Sequence, residues 1–353
     1  MISSLVLTKS KNKSYDHGSS GAIAANDNFG IIYAMRIAVL VLEGVFDTGL
    51  TAVLDAFSTA NELGGLLLEQ YSPFEVSIIG VRRKVLTAQG MRVPLAAAAD
   101  LEAFDWVILP ALSAKMPDQL LPALSRRDVQ DALIQLRKWN EGGTRIAAAC
   151  IGTFLLAEAG LLDGQEATTT WWLGPFFRQR YPKVRLDESR MLVPSGCFVT
   201  AGAAMGHLDL ALWLMNQISP EVAALVARYM IIDERPSQAP YMIPDHLARA
   251  DPLVERFERW ARERLAEGFS LQAASEALST SKRTLQRRIE AVLGKSPLSY
   301  FQDLRVERAQ HLVRTSALDI EAIATQVGYA DGATLRSLLR RRLGRGVREL
   351  RAS

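Results

Sequence analysis

The strongest constraint on the fold is an alternation of short apolar runs with helical patterns over residues 36–159. Apolar runs that are too short for helices are typical of strands buried on both faces of a parallel sheet. The predicted strands are 37–42, 74–80, 106–109 and 145–149, and the predicted helices are 50–63, 126–140 and 151–159. The alternation therefore predicts an α/β fold of flavodoxin-like type, with a doubly wound, mostly parallel sheet.

The alternation ends well before the C terminus. Hairpin-like segments at 85–93 and 191–200 are expected at the sheet edge, and two further helices follow from 207 and 220. A polar stretch with two prolines then predicts a linker, and beyond Arg249 every pattern is helical. The predicted organisation is a disordered tail at 1–34, an α/β domain at 35–232, a linker at 233–248 and an all-α domain at 249–353.

The charge is distributed unevenly between the two predicted domains. Residues 249–353 carry 20 Lys and Arg against 13 Asp and Glu, a balance of +7, and the rest of the chain carries 21 against 25, a balance of −4. This asymmetry indicates that the C-terminal domain meets a polyanion. Neither a signal peptide nor a membrane-spanning stretch is evident, and Cys150 and Cys197 lack metal-ligand spacing. The sequence therefore predicts a cytoplasmic protein with no metal and no cofactor.

Two stretches of the C-terminal domain share one construction. In the first, Ser270 caps a helix over 271–278 and Ser281 caps a second over 282–293. In the second, Asp319 caps a helix over 320–326 and Asp331 caps another that ends at Leu343. The helix between them, 297–316, has a length of about 30 Å, close to the roughly 34 Å between successive turns of one major groove. Two helix-turn-helix units on one face of DNA are predicted, and a protein-binding helical bundle is the alternative.

The second helix of each unit carries the chemistry expected at a DNA surface. In the first unit, the apolar residues of this helix form one buried stripe, and its cationic and amide side chains lie opposite. In the second unit, this helix bears Arg336 and a run of arginines at 340–342. Arg and Gln make paired hydrogen bonds to base edges, and Lys and Arg neutralise phosphates. The predicted DNA-binding residues are Lys282, Arg283, Thr284, Gln286, Arg287, Thr334, Arg336, Arg340 and Arg341.

Residues 270–350 resemble the AraC/XylS family of regulators. The matching residues are 281–287, 294–297, Tyr300, Leu304, Arg305, Ala309, Leu312, Ile320, Ile323, Ala324 and 327–329. The resemblance places base-facing positions on 283, 284, 286 and 287, and on 332–334, 336 and 337. It implies promoter DNA and RNA polymerase as partners. Leu335 and Leu339 replace two Phe of the family, and Arg345-Gly346 replaces a Ser-Pro.

A cysteine marks the bend between the strand at 145–149 and the helix that follows it. Cys150 at a helix N-terminus has the arrangement of a nucleophile elbow, which would lower the thiol pKa and favour anions. With the stretch to Thr169, this region resembles the class I glutamine amidotransferase-like, or PfpI-like, domain. It is similar in particular to GlxA-type regulators, which join that domain to an AraC-type one. The resemblance implies an activator that responds to an amine or amino-acid derivative, and a homodimer is expected.

The catalytic equipment that the resemblance implies is incomplete. Thr170 occupies the position of the histidine in hydrolytic relatives, and Gly49 occupies that of their acid. Among the histidines only His207 could approach Cys150. The prediction is a ligand sensor without catalytic residues, whose effector contacts Asp47, Cys150, Ile151, Gly152 and Thr170. A cysteine hydrolase or amidase at Cys150 and a constitutive DNA binder with a dimerisation domain remain the alternatives.

Overall fold

The computed structural model describes residues 34–67, 73–97, 104–243, 251–344 and 346–352. The predicted disordered tail lies outside the described residues except for Ala34. So do residues 244–248 of the predicted linker and 249–250 of the predicted all-α domain.

A seven-stranded sheet lies at the centre of the α/β region. The strands of the chain are β1 (Met35–Leu40), β2 (Phe74–Gly80), β3 (Lys84–Leu86), β4 (Arg92–Pro94), β5 (Ala96–Ala97), β6 (Trp106–Leu109), β7 (Arg145–Ala149), β8 (Glu166–Ala167), β9 (Arg185–Leu186), β10 (Leu192–Ser195) and β11 (Phe198–Ala201). The sheet has the order β10-β11-β7-β6-β1-β2-β5. Only the β10–β11 pair of this sheet is antiparallel, so the prediction of a mostly parallel sheet is confirmed.

Helices cover both faces of this sheet. Because side chains alternate along a strand, Ile37 and Val39 enter one apolar core whereas Ala38 and Leu40 enter the other. The first core is covered by α1 (Asp47–Leu67), α6 (Gly206–Asn216) and α7 (Pro220–Tyr229). The second is covered by α2 (Pro117–Leu124), α3 (Arg127–Glu141), α4 (Gly152–Glu158) and α5 (Gly174–Arg180). A 3-10 helix, Trp171–Leu173, leads directly into α5.

The two predicted hairpins have different positions. The 191–200 segment forms β10 and β11, and β11 also pairs in parallel with β7, so this strand is internal to the sheet. The 85–93 segment forms β3 and β4, a separate two-stranded sheet.

The secondary structure of the C-terminal region consists of helices alone in its described residues. Its helices are α8 (Pro252–Glu263), α9 (Leu271–Ala277), α10 (Lys282–Leu293), α11 (Pro297–Thr315), α12 (Ile320–Gln326), α13 (Gly332–Leu343) and α14 (Val347–Ala352). The predicted caps are confirmed, since side chains of Ser270, Ser281, Asp319 and Asp331 each accept a hydrogen bond from a backbone N–H in the first helical turn.

Helix α11 joins two apolar cores. Its first half contributes Phe301 and Leu304 to the core formed with α8, α9 and α10. Its second half contributes Ala309 and Val313 to the core formed with α12, α13 and α14. The two helix-turn-helix units are therefore held on one continuous helix. In the part of the chain that the structure describes, no helix has the length and apolar character needed to cross a membrane.

Residues 235–241, which were predicted to belong to a linker, lie against the α/β region. The backbone N–H of Met191 donates to Pro236 O at 3.1 Å, and that of Gln238 donates to Ser189 O at 2.7 Å. The Gln238 side chain is buried, and its Nε2 donates to the carbonyl oxygens of Thr169 and Glu188. This segment is therefore anchored to the α/β region by its backbone and by one buried amide.

Candidate DNA interface and ligand cleft

Helix α10 exposes the side chains that were predicted to contact DNA. Lys282, Arg283, Gln286 and Arg287 are exposed and Thr284 is half-buried. The apolar residues of the opposite stripe are buried, among them Leu285, Ile289 and Leu293. Because its apolar stripe is covered by neighbouring helices, α10 presents a cationic surface to solvent.

Helix α13 has the same division. Thr334, Arg336, Arg340 and Arg341 are exposed, whereas Leu335 and Leu339 are buried. The two leucines therefore fill the core positions that the AraC/XylS resemblance assigns to Phe.

Contacts of the exposed side chains leave them available to a ligand. Arg336 pairs with Glu321 at 3.4 Å, and both side chains are at least half exposed. Gln286 donates to Glu290 at 2.8 Å. Exposed ion pairs of this kind contribute about 0–1 kcal/mol, so a phosphate or a base can replace them at little cost.

Cys150 lies between β7 and α4 with a backbone φ of 56°, in the left-handed region. Its backbone N–H donates to Ala201 O at 2.7 Å, and its carbonyl accepts from the Thr169 hydroxyl at 2.7 Å. Non-glycine residues rarely adopt this conformation, and such strain is concentrated at functional sites. The geometry of a nucleophile elbow is thus present.

The electrostatics of this thiol oppose its use as a nucleophile. Burial raises the pKa of Cys150 to about 12, although the backbone N–H of Ile151 and the Thr170 hydroxyl act in the opposite direction. The expectation that the helix N-terminus would lower the thiol pKa is therefore wrong, because desolvation of the charged form outweighs the nearby dipoles.

His207 is buried and uses both ring nitrogens. Its Nε2 accepts from the backbone N–H of Ala111 at 3.1 Å, so Nδ1 carries the proton and donates to Ala204 O at 2.6 Å. Burial lowers the pKa of His207 to about 4. With both nitrogens engaged in these bonds, the ring is not arranged as a general base for Cys150.

The ring of His207 also explains Gly49. A Cβ at Gly49 would lie 2.6 Å from His207 Nε2. The space that a side chain at residue 49 would need is therefore filled by the histidine ring. Residue 49 is the position that the resemblance assigns to the acid of hydrolytic relatives. Sequence reasoning singled out both residues without placing them together, since they are remote in the chain.

Within the described residues, the five predicted ligand residues do not line an open cavity. Cys150, Ile151, Gly152 and Thr170 are all buried. Asp47 is half-buried and accepts from the backbone N–H of Gln89 at 3.1 Å. A ligand at Cys150 must therefore displace buried groups around the thiol.

Comparison with known proteins agrees with both halves of this description. Residues 35–217 match the model of the DJ-1/PfpI family, and residues 274–353 match that of a helix-turn-helix domain. The HTH-type transcriptional regulator GbdR of Pseudomonas aeruginosa is 24% identical over 298 residues, 83% of this chain and 77% of GbdR. The regulator GlxA of Rhizobium meliloti is 25% identical over 222 residues, 58% of this chain and 64% of GlxA. The transcriptional activator RhaS of Escherichia fergusonii is 35% identical over 101 residues, 29% of this chain and 36% of RhaS.

The exposed cationic helices, their matched domain and the named relatives together define a DNA-binding transcription regulator with an AraC-type helix-turn-helix region. The chain belongs to the DJ-1/PfpI family through its α/β region.

Proposed function

We propose that the chain is a sequence-specific promoter-binding regulator whose two recognition helices are α10 and α13. Arg283, Thr284, Gln286 and Arg287 face bases from α10, and Thr334 and Arg336 do so from α13. The phosphate contacts fall to Lys282, Arg340 and Arg341. The observation that carries the proposal is the exposure of these side chains above buried apolar stripes on both helices.

Selection of genomic fragments by the purified full chain tests this proposal. Two half-motifs about ten base pairs apart are expected, because successive turns of one major groove have that spacing. Fragments without any shared motif would contradict sequence-specific binding by the full chain.

The wider organisation follows the same proposal. The α/β domain comprises 35–232, the connecting segment 233–248 and the DNA-binding domain 249–353. The protein acts in the cytoplasm as a homodimeric activator that contacts RNA polymerase. The resemblance to AraC-type activators supports this organisation.

We infer in addition that the α/β domain senses a small metabolite without transforming it. The proposed contacts are Asp47, Cys150, Ile151, Gly152 and Thr170. A ligand shifts the equilibrium between two arrangements only if it binds one of them more tightly. Promoter output with and without candidate metabolites tests this sensing. Output that is independent of all of them would favour a constitutive DNA binder.

The alternative is a regulator with cysteine hydrolase or amidase activity, and the strained backbone at Cys150 favours it. The raised thiol pKa and the two engaged nitrogens of His207 favour a binding role. Hydrolysis across an amide panel distinguishes the two. Turnover by the parent chain that Cys150→Ala abolishes would establish the enzyme.

A further inference from the structure

One segment of the α/β region, residues 169–180, contacts the Cys150 elbow at one end and the DNA-binding helices at the other. At its start, the Thr169 hydroxyl donates to the carbonyl oxygen of Cys150 at 2.7 Å, in a buried position. Trp171 follows, and its side chain packs against the apolar core formed by α8, α9, α10 and α11. In the chain, the residue that contacts the elbow and the residue that contacts this helical core are thus separated by Thr170 alone.

The far end of the segment holds the last turn of the recognition helix α10. Arg178 of α5 donates through Nη1 to Val292 O at 3.0 Å. The last four carbonyl oxygens of a helix lack intrahelical partners and carry its negative dipole end, so a guanidinium is favoured there. Gly294, which ends α10 with a φ of +65°, permits this approach, because a Cβ there would meet the Arg178 guanidinium at 2.4 Å.

Arg178 is itself held by a buried partner. It forms an ion pair with Glu188, and the two side chains are 14% and 5% exposed. Loss of either partner would leave the other charge buried and uncompensated, so this contact is costly to break. Its burial also protects it from screening by salt.

The buried side-chain amide of Gln238 joins Thr169, at the start of the segment, to Glu188, the partner of Arg178. Gln238 Nε2 donates to Thr169 O at 2.9 Å and to Glu188 O at 3.1 Å. Hydrogen bonds and the ion pair therefore lead without interruption from Cys150 through Thr169, Gln238, Glu188 and Arg178 to Val292.

Arg287, which is proposed to face bases, borders the contact between α5 and α10. A cleft of about 870 Å³ lies beside the contact of α5 with α10, and its lining includes Arg178, Arg287 and Arg288. Arg288 also pairs with Asp251 at the start of α8. A displacement of α5 would therefore change the surroundings of Arg287 directly.

We propose that residues 169–180 transmit the state of the Cys150 elbow to α10, and that the Arg178–Glu188 pair clamps the recognition helix to the α/β region. This rests on the proposed function in assigning α10 to DNA and ligand sensing to the Cys150 elbow. Arg178 is a positioning residue that acts on α10 through Val292.

Hydrogen exchange of the full chain tests the clamp without DNA or effector. In Arg178→Ala, backbone amides at 289–293 are expected to exchange about tenfold faster, since a hydrogen bond from a charged donor is lost. Arg180→Ala is the matched control, because Arg180 lies on the same helix and bonds to Glu158. The control should leave α10 unchanged. Equal effects from the two variants would overturn the clamp.

A double-mutant cycle tests transmission from the elbow. Thr169→Val removes the hydroxyl bond to Cys150 O at nearly constant volume and should accelerate exchange in α10. The same change should have no further effect in the Arg178→Ala background, because coupled residues are not additive. An undiminished effect there, or no effect in the parent, would overturn transmission through Arg178. Amides of β1 and β6 report whether each variant is folded. Failure of the parent to bind DNA would instead contradict the proposed function, since none of these readouts depends on DNA.

Discussion

At the scale of single residues, Cys150 shows how one elbow can keep its geometry and lose its reactivity. The backbone places the thiol at the start of α4, as a nucleophile requires, but the side chain is buried. Burial penalises the thiolate more than the adjacent N–H of Ile151 stabilises it. The thiol is therefore expected to remain protonated at neutral pH.

Alkylation measures this directly. Treatment of the native chain with iodoacetamide near pH 8 should modify Cys197, which is half-buried, and leave Cys150 intact. Both cysteines should react after unfolding, and in Cys197→Ala any alkylation comes from Cys150 alone. Rapid modification of native Cys150 would contradict the account of the elbow.

His207 gives a prediction for stability against pH. Its pKa is about 4 when folded, against 6.5 for an ordinary histidine, so below pH 6.5 the unfolded state binds a proton that the folded state does not. The contribution of His207 to the free energy of unfolding is thus complete above pH 6.5 and declines as the pH falls towards 4. The linkage relation gives a loss of at most about 3 kcal/mol.

Urea unfolding of the parent and of His207→Gln at several pH values isolates this effect. The difference in unfolding free energy between them should shrink as the pH falls through that window. A difference that stays constant from pH 7.5 to pH 4.5 would mean that His207 does not titrate as described.

At the scale of elements, the parts of the fold that depend on local pattern could be predicted and the non-local ones could not. Apolar runs and N-cap residues specify β1, β6 and β7 and the starts of α10 and α13, because periodicity and capping are local. The placement of β11 beside β7 depends on pairing between distant segments, which a single sequence does not encode locally.

The functional sites divide in the same way. The exposed faces of α10 and α13 follow from helical periodicity, so their residues could be listed from the sequence. The contact of His207 with Ala111 and the burial of Gln238 are tertiary events in segments that carry no distinguishing pattern. Two prolines predicted only a linker at 233–248, and no sequence pattern distinguishes Arg178 or Glu188.

The division of labour along the recognition helices is testable by mutation. Arg287→Ala should cost about 1–3 kcal/mol on the specific site and relax base preference there, as expected for a base contact. Arg341→Ala should weaken binding evenly across sequences and reduce the salt dependence, as expected for a phosphate contact. Titrations on specific and scrambled duplexes compare the two, and identical patterns would contradict the assignment.

At the scale of the whole molecule, α11 and residues 169–180 have complementary roles in the account. Helix α11 contributes to both cores of the C-terminal region and so fixes the separation of α10 and α13. The 169–180 segment connects that region to the Cys150 elbow. The α/β region and the C-terminal helical region are thereby joined by hydrogen bonds and an ion pair in addition to the chain itself.

The second unit should contribute less to sequence selection than the first. The resemblance assigns Gly332 and Ala333 to base-facing positions of α13, but neither has a side chain that could reach a base edge, and Gly332 is buried. Helix α10 has Arg283, Gln286 and Arg287 at its corresponding surface. Base discrimination is therefore expected to come mainly from the half-motif under α10.

The affinity of the full chain for a selected duplex, with each half-motif scrambled in turn, tests the central claim most directly. Scrambling the half-motif under α10 should weaken binding by more than tenfold, as a loss of about 1–3 kcal/mol per base contact implies. Scrambling the other should weaken it less. Equal affinity for all three duplexes would contradict base-specific binding through α10.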